Sequence, residues 1–353
     1  MGDGSDVASP KQPQTLKPWY RILRLPVLLT IPGEPIAGFL LASASGGSTP
    51  ALGMMLAPAG AAVFFAVFAH LINDLLDLPV DETAHSDRPL PAGEITVPQA
   101  RMAAVVSVLS GLNLSLFAGR PVLYAGGGLC CLILARHAFL KRIPVAGACS
   151  AGLCRAVSLL LGALAAAPDL ISSGRLLSRD GALLCVALAC VTLYVAAVSH
   201  LAGCAGKGDV VCGDGPSPQA CGTRGRSSVS LYGTGGISRW LPFAVLLPSL
   251  VVLLLLASFR KSGGATVAAA KTAATSALAF LSAIALLRGW LLGGILYRSQ
   301  PLGATLSGHM ANLLLVQGAL CSAAGTAGLF PAITFILLSI LLKRMEKGAD
   351  LPK

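Results

Sequence analysis

Asn73-Asp74-Leu-Leu-Asp77-Leu-Pro-Val-Asp81 closes a long apolar stretch, and Arg88-Pro89-Leu90-Pro91-Ala92-Gly93 begins seven residues later. Asp74, Asp77 and Asp81 stand at i, i+3 and i+7, a spacing that puts all three on one face of a helix. Carboxylates this close repel one another unless cations lie between them. Hard oxygen ligands of this kind suit Mg²⁺, which binds through one or two carboxylates together with substrate phosphates. At the end of an apolar segment, such a site implies a diphosphate carried on a lipid. On this reading Asn73, Asp74, Asp77 and Asp81 are metal and diphosphate ligands, Asn73 binds substrate, and the three aspartates act in catalysis. Arg88 is placed to take two diphosphate oxygens at once. The competing reading is a solvated acidic helix end held by Arg88 and Arg101, with Arg88 tied to Asp87 or Glu82.

The elements that position this cluster are apolar. The chain has 353 residues, of which 55% are hydrophobic and 12% charged, a balance that belongs to a polytopic membrane protein. Apolar segments run over 25–44, 52–72, 102–118, 121–135, 145–166, 182–203, 241–258, 270–287, 303–324 and 328–342. Several fall short of the ~20 residues that an untilted span needs. The expected architecture is therefore an all-α bundle of about nine to ten transmembrane helices around a central cavity. Residues 1–18 read as a polar, disordered N-terminus, 19–347 as one transmembrane domain, and 348–353 as a short tail. The Gly-, Ser- and Pro-rich insert 204–238 reads as a loop or lid.

The net charge of +11 does not point to nucleic acid, because the basic residues flank the apolar segments. Alternate segment ends carry Arg21 and Arg24, Arg88 and Arg101, Lys141 and Arg142, and Lys343 and Arg344 on one side. The opposite side has Arg120, Arg175, Arg179, Arg260, Lys261 and Lys271. This asymmetry places the N-terminus on the cytosolic or equivalent side of an integral, multi-pass protein. The same alternation puts the aspartate motif, Lys141 and the 204–238 loop on one face, where they can converge. Arg155 lies inside the fifth apolar segment; burying an unpaired Arg is costly, so it should face the interior and meet an acid or a phosphate.

N-D-x-x-D-x-x-x-D followed by R-P-L-P-x-G resembles the first aspartate-rich motif of the UbiA superfamily of intramembrane prenyltransferases. The resemblance implies a helical membrane fold, Mg²⁺ as cofactor, and an isoprenyl diphosphate with a lipophilic or aromatic acceptor as substrates. It implies a diphosphate-binding, catalytic role for Lys141, although Arg136 stands where relatives often have Tyr. It also implies a second motif, D-x-x-x-D, after the sixth span. Here only Asp209 and Asp214 lie nearby: either they substitute for that motif, or the second metal is absent and Arg155, Lys141 and Lys207 share the diphosphate charge with one metal. Two other classes stay open on the sequence. One is a catalytically weak relative that binds a lipid diphosphate or a partner protein. The other is a transporter, which intramembrane Arg155 and His309 would suit. The sequence leaves the oligomeric state open.

Overall fold

Every apolar segment read from the sequence is largely helical, the first, 25–44, being broken into two helices. The computed structural model describes residues 16–46, 52–84, 88–175, 181–205, 240–258, 265–293 and 302–349, and all regular structure among them is helical. In chain order the helices are α1 (Leu16–Leu23), α2 (Leu25–Leu28), α3 (Gly33–Gly46), α4 (Leu56–Ala84), α5 (Val97–Ala118) and α6 (Arg120–Ala138). They continue with α7 (Pro144–Ala166), α8 (Ala182–Ala205), α9 (Leu241–Ser258), α10 (Ala265–Gly293), α11 (Leu302–Ala323) and α12 (Leu329–Ala349).

Local chemistry sets the boundaries. Thr96 accepts a hydrogen bond from the Gln99 amide and the Gln99 side chain returns one to Thr96, so a capping box opens α5. Gly119, at φ 128, makes the one-residue connection to α6, a conformation that L side chains resist. Pro121 and Pro144 lie in the first turns of α6 and α7, where no backbone donor is missed. Residues 16–18, expected in the disordered tail, belong to α1. Its apolar residues Trp19, Ile22 and Leu23 pack on the core and draw the chain into a helix.

Eight stretches among the described residues are long and apolar enough to cross a membrane, from Leu25–Ala44 to Lys271–Leu292. The last two expected spans, α11 and α12, fold in the same bundle but are less apolar. α11 buries His309, Asn312 and Gln317 among its neighbours, so these polar groups meet protein rather than lipid. The apolar part of α12 is the shorter Leu329–Leu341.

Helix α4 packs along α5, α3 along α7, α7 along α8, and α11 against α10, α12 and α3. Glycines allow the closest of these approaches. A Cβ on Gly38 of α3 would stand 2.0 Å from the Leu159 carbonyl oxygen of α7. One on Gly162 of α7 would stand 1.8 Å from the Pro35 carbonyl oxygen. With little hydrophobic drive between helices in lipid, such backbone contact is a main source of association.

Replacing Gly162 with Leu should therefore destabilise the bundle by about 1–3 kcal/mol through overpacking. Gly127→Ala, where an added Cβ meets nothing within 4 Å, should leave stability unchanged or slightly raised. Thermal unfolding in detergent, followed by circular dichroism, separates the two outcomes.

Candidate active site

The aspartate motif occupies the last turns of α4. This helix has 29 residues. At 1.5 Å per residue its length is roughly 43 Å, against a hydrocarbon core of ~30 Å. It can therefore carry its charged end past the apolar layer. Pro79 lies inside it and removes one backbone donor between Asp77 and Asp81.

Each motif carboxylate meets a cation from a different element. Asp74 accepts from Arg24 Nη2 at 3.3 Å and from Asn73 Nδ2 at 3.1 Å. Asp77 accepts from Lys141, in the turn after α6. Asp81 accepts from Arg88, so Arg88 is on a motif aspartate rather than on Glu82. Arg24 lies between α1 and α2 at φ 48, the one non-glycine residue with positive φ among the described residues. Strain of that kind persists where the surroundings fix the residue, often at a functional site. Arg88 is held by a compact turn. Pro89 accepts backbone bonds from Glu94 and Ile95, Gly93 supplies φ 69, and Leu90 and Ile95 are buried. The R-P-L-P-x-G sequence is thus the scaffold that presents Arg88.

A cavity of about 260 Å³ opens beside the motif. Asn73 lines it, while Asp74, Asp77 and Asp81 are not among its lining residues and are paired with their cations. Its polar lining is Arg24, His70, Asn73, Arg136, His137 and Arg155, with Ser158, and among the described residues no carboxylate lines it; Phe65, Leu129 and Ile133 give it apolar walls. Among the nearby aromatic rings, Phe65 lines the cavity, Phe68 is buried elsewhere, and Tyr20 and Phe64 are exposed. His137 and Asn73 are hydrogen-bonded, Nδ1 to Oδ1 at 3.0 Å.

Arg155 meets an acid, as burial demands. It pairs with the fully buried Glu34 at 2.7 Å and donates to Thr30 Oγ1 at 2.9 Å. The break between α2 and α3 leaves the Thr30 carbonyl outside any helix, and Arg155 and Gln317 both donate to it. Gln317 also donates to Glu34 at 2.7 Å. Nε and Nη1 of Arg155 and Nη1 of Arg136 are buried without hydrogen-bond partners. The cavity wall thus holds spare donors suited to an anion.

A second cavity, about 360 Å³, joins Arg136 in the last turn of α6, with Lys141 and Arg142 just after it, to Ser199, His200 and Gly203 at the end of α8. The segment ends that sequence parity put on one face therefore converge. Lys207, Asp209, Asp214 and nearly all of the 204–238 insert lie outside the described residues.

Arg24, Arg136, His137, Glu34 and Gln317 were not legible as site residues. Arg24 and Arg136 resembled ordinary flanking cations. Glu34 carried a usable signal, as the one acid between Asp6 and Asp74. For Mg²⁺ the donor set is chemically apt, with hard oxygens on Asp74, Asp77, Asp81 and Asn73. Among the described residues no three His, Cys, Asp or Glu side chains are close enough to hold a metal by themselves. That suits an ion that keeps waters and arrives with substrate phosphates.

A sequence model of the UbiA prenyltransferase family matches residues 35–291. Digeranylgeranylglyceryl phosphate synthase of Methanocaldococcus jannaschii is 38% identical over 60 residues, 16% of this chain and 21% of that protein, so the match spans about a fifth of the relative's length. A solved structure concerning digeranylgeranylglyceryl phosphate synthase in membranes superposes with a TM-score of 0.54 at 17% identity, covering 92% of this chain and 99% of that one. The apo structure of a UbiA homologue from Aeropyrum pernix K1 gives a TM-score of 0.59 at 17% identity, covering 82% and 96%. At that identity the likeness shows the fold.

The Glu34–Arg155 pair generates a test of its own. Arg155→Ala should cost about 3–5 kcal/mol, because it strands a buried carboxylate. The double variant Glu34→Gln/Arg155→Gln, which leaves no lone charge, should recover much of that loss. Unfolding in detergent measures both, and a double variant no better than Arg155→Ala would contradict the pairing.

Proposed function

Because the chain belongs to the UbiA prenyltransferase family, we propose that it transfers an isoprenyl group from a prenyl diphosphate to a lipophilic or aromatic acceptor within the membrane. The observation that carries this reading is the set of three aspartates, each held by a separate cation, beside a cavity with cationic and apolar walls. Asp74, Asp77 and Asp81, with Asn73, are the residues that would hold Mg²⁺. When bound, Mg²⁺ takes up negative charge that grows on the departing diphosphate.

The side chains of this protein do the rest. Arg24, Arg88 and Lys141 pass from the aspartates to phosphate oxygens and share the leaving-group charge. Arg155 and Arg136 offer their spare N–H groups from the cavity wall. The apolar walls take the isoprenyl tail and keep water from the allylic carbon. Phe65 presents a ring beside the cavity, where a π face favours a cation. The allylic C–O bond breaks and its electron pair stays on the diphosphate. The acceptor's nucleophilic atom then bonds to the allylic carbon, and the proton it loses leaves with the diphosphate. The asymmetry of the basic segment ends supports a site that opens on the cytosolic or equivalent face.

Transfer of a radiolabelled prenyl group by the purified full chain tests the reading. The acceptor panel should include aromatic acids and a glyceryl phosphate lipid, the latter chosen from the relative's name. Wild-type transfer should require Mg²⁺. Asp74→Asn or Asp77→Asn should reduce it by about 100-fold or more, with the helical signal unchanged. Undiminished turnover in both variants would contradict the assignment.

A further inference from the structure

Phe65 stands where the cavity beside the motif meets the α5–α6 hairpin. Its residue is 1% exposed, yet it lines the cavity. Two glycines make room for the ring. A Cβ on Gly111 of α5 would stand 3.0 Å from Cε1 of Phe65, and one on Gly126 of α6 would stand 3.2 Å from Cζ. The ring therefore fills a notch that side chains at those two positions would close. Ser115, beside Gly126, spends its hydroxyl on the Gly111 carbonyl at 2.8 Å, so this polar group of the notch is already satisfied.

The helices give the length of the cavity. Its lining residues on α4 run from Asn73 to Ala62, a rise of about 16 Å at 1.5 Å per residue. On α6 they run from His137 to Leu129, or about 12 Å. Along these helices the residues farthest from the motif, Ala62, Phe65 and Leu129, are apolar and buried, as a hydrocarbon chain requires. An extended prenyl chain adds about 5 Å per five-carbon unit at ordinary carbon–carbon bond lengths and angles. Two or three units fit this length, and a fourth would meet the wall to which Phe65 belongs. We propose that Phe65 sets the length of the donor: the site takes geranyl or farnesyl diphosphate, and the ring seated between Gly111 and Gly126 excludes a geranylgeranyl chain. This inference rests on the reading of the chain as a prenyltransferase and names the donor class of that site.

The test uses the full chain in lipid nanodiscs with Mg²⁺. Transfer is measured from geranyl, farnesyl and geranylgeranyl diphosphate to the best acceptor of the panel above. Affinity is measured with the matching non-hydrolysable thiodiphosphates. Wild type should favour farnesyl over geranylgeranyl by about ten-fold or more in kcat/KM, the scale on which an apolar pocket discriminates by size. Phe65→Leu and Phe65→Ala should raise the geranylgeranyl-to-farnesyl ratio by a similar factor. Gly111→Ala presses the ring toward the cavity and should lower the farnesyl-to-geranyl ratio. Gly127→Ala, whose added Cβ meets nothing within 4 Å, should keep the wild-type order. Ratios cancel differences in how each donor enters the disc, and a ring that served only to face a cation would, once removed, slow all three donors alike. The Phe65→Leu and Gly111→Ala arms stand even if Phe65→Ala does not fold. A wild type indifferent to chain length, or one order of donors in every variant, would overturn the role of Phe65 and leave the prenyltransferase reading standing. Length-dependent thiodiphosphate affinity that Phe65→Leu relaxes, with no transfer to any acceptor, would support the length limit and count against that reading.

Discussion

Charge matching inside an apolar bundle is the constraint on which this structure turns. A charge moved out of water is tolerated only if a partner or an ion meets it. Here the partners of the aspartate motif come from three places in the chain: the α1–α2 junction, the loop before α5, and the turn after α6. Each pair fixes the approach of one segment to the end of α4. Arg21 adds a further tie from α1 to Glu94 at 3.2 Å, so the N-terminal segment is held at two points, on the motif and on the loop before α5. That second tie is half-exposed and contributes little by itself. Its effect is to restrict where Arg24 can go.

Packing makes the deeper pairing possible. The glycine contacts of α7 with α3, and of Gly152 with the Thr192 carbonyl of α8, bring three backbones together. Arg155 then lies close enough to reach Glu34 and the uncoiled Thr30 carbonyl. Gln317 of α11 completes the set, which links the C-terminal helices to the wall of the cavity. This explains why α11 is polar where a lipid-facing span would be apolar. Its hydrogen-bonding side chains are spent on neighbours, with Asn312 donating to Tyr194 and to the Ala285 carbonyl.

The helices were legible because lipid imposes a simple rule: long apolar runs bounded by charge, Pro and Gly. Segments such as 145–166 and 182–203 match the helices to within a residue or two, whereas 25–44 hid the break between α2 and α3. The α4 segment did not end at 72, because the polar stripe of the motif rides on a helix whose other face is still apolar. The motif itself was legible through its period. What was not legible were pairings across long separations, such as Arg24 with Asp74 or Glu34 with Arg155. A basic residue at a segment end looks the same whether it anchors the chain or completes a site. Only the fold distinguishes Arg101, exposed on α5, from Arg136, which lies between two cavities.

The four matched pairs also define how the site would change on loading. On the proposed function, cations now spent on carboxylates would become available to phosphate as the carboxylates turned to a metal. The most direct measurement is a structure of the full chain, in lipid, with Mg²⁺ and a non-hydrolysable prenyl thiodiphosphate. Partner exchange predicts metal density at Asp74 and Asp77, the prenyl tail in the cavity beside Phe65, and Arg24 and Lys141 turned from the aspartates to phosphate oxygens. Bound diphosphate remote from α4, with the Arg24–Asp74 and Lys141–Asp77 pairs intact, would contradict it.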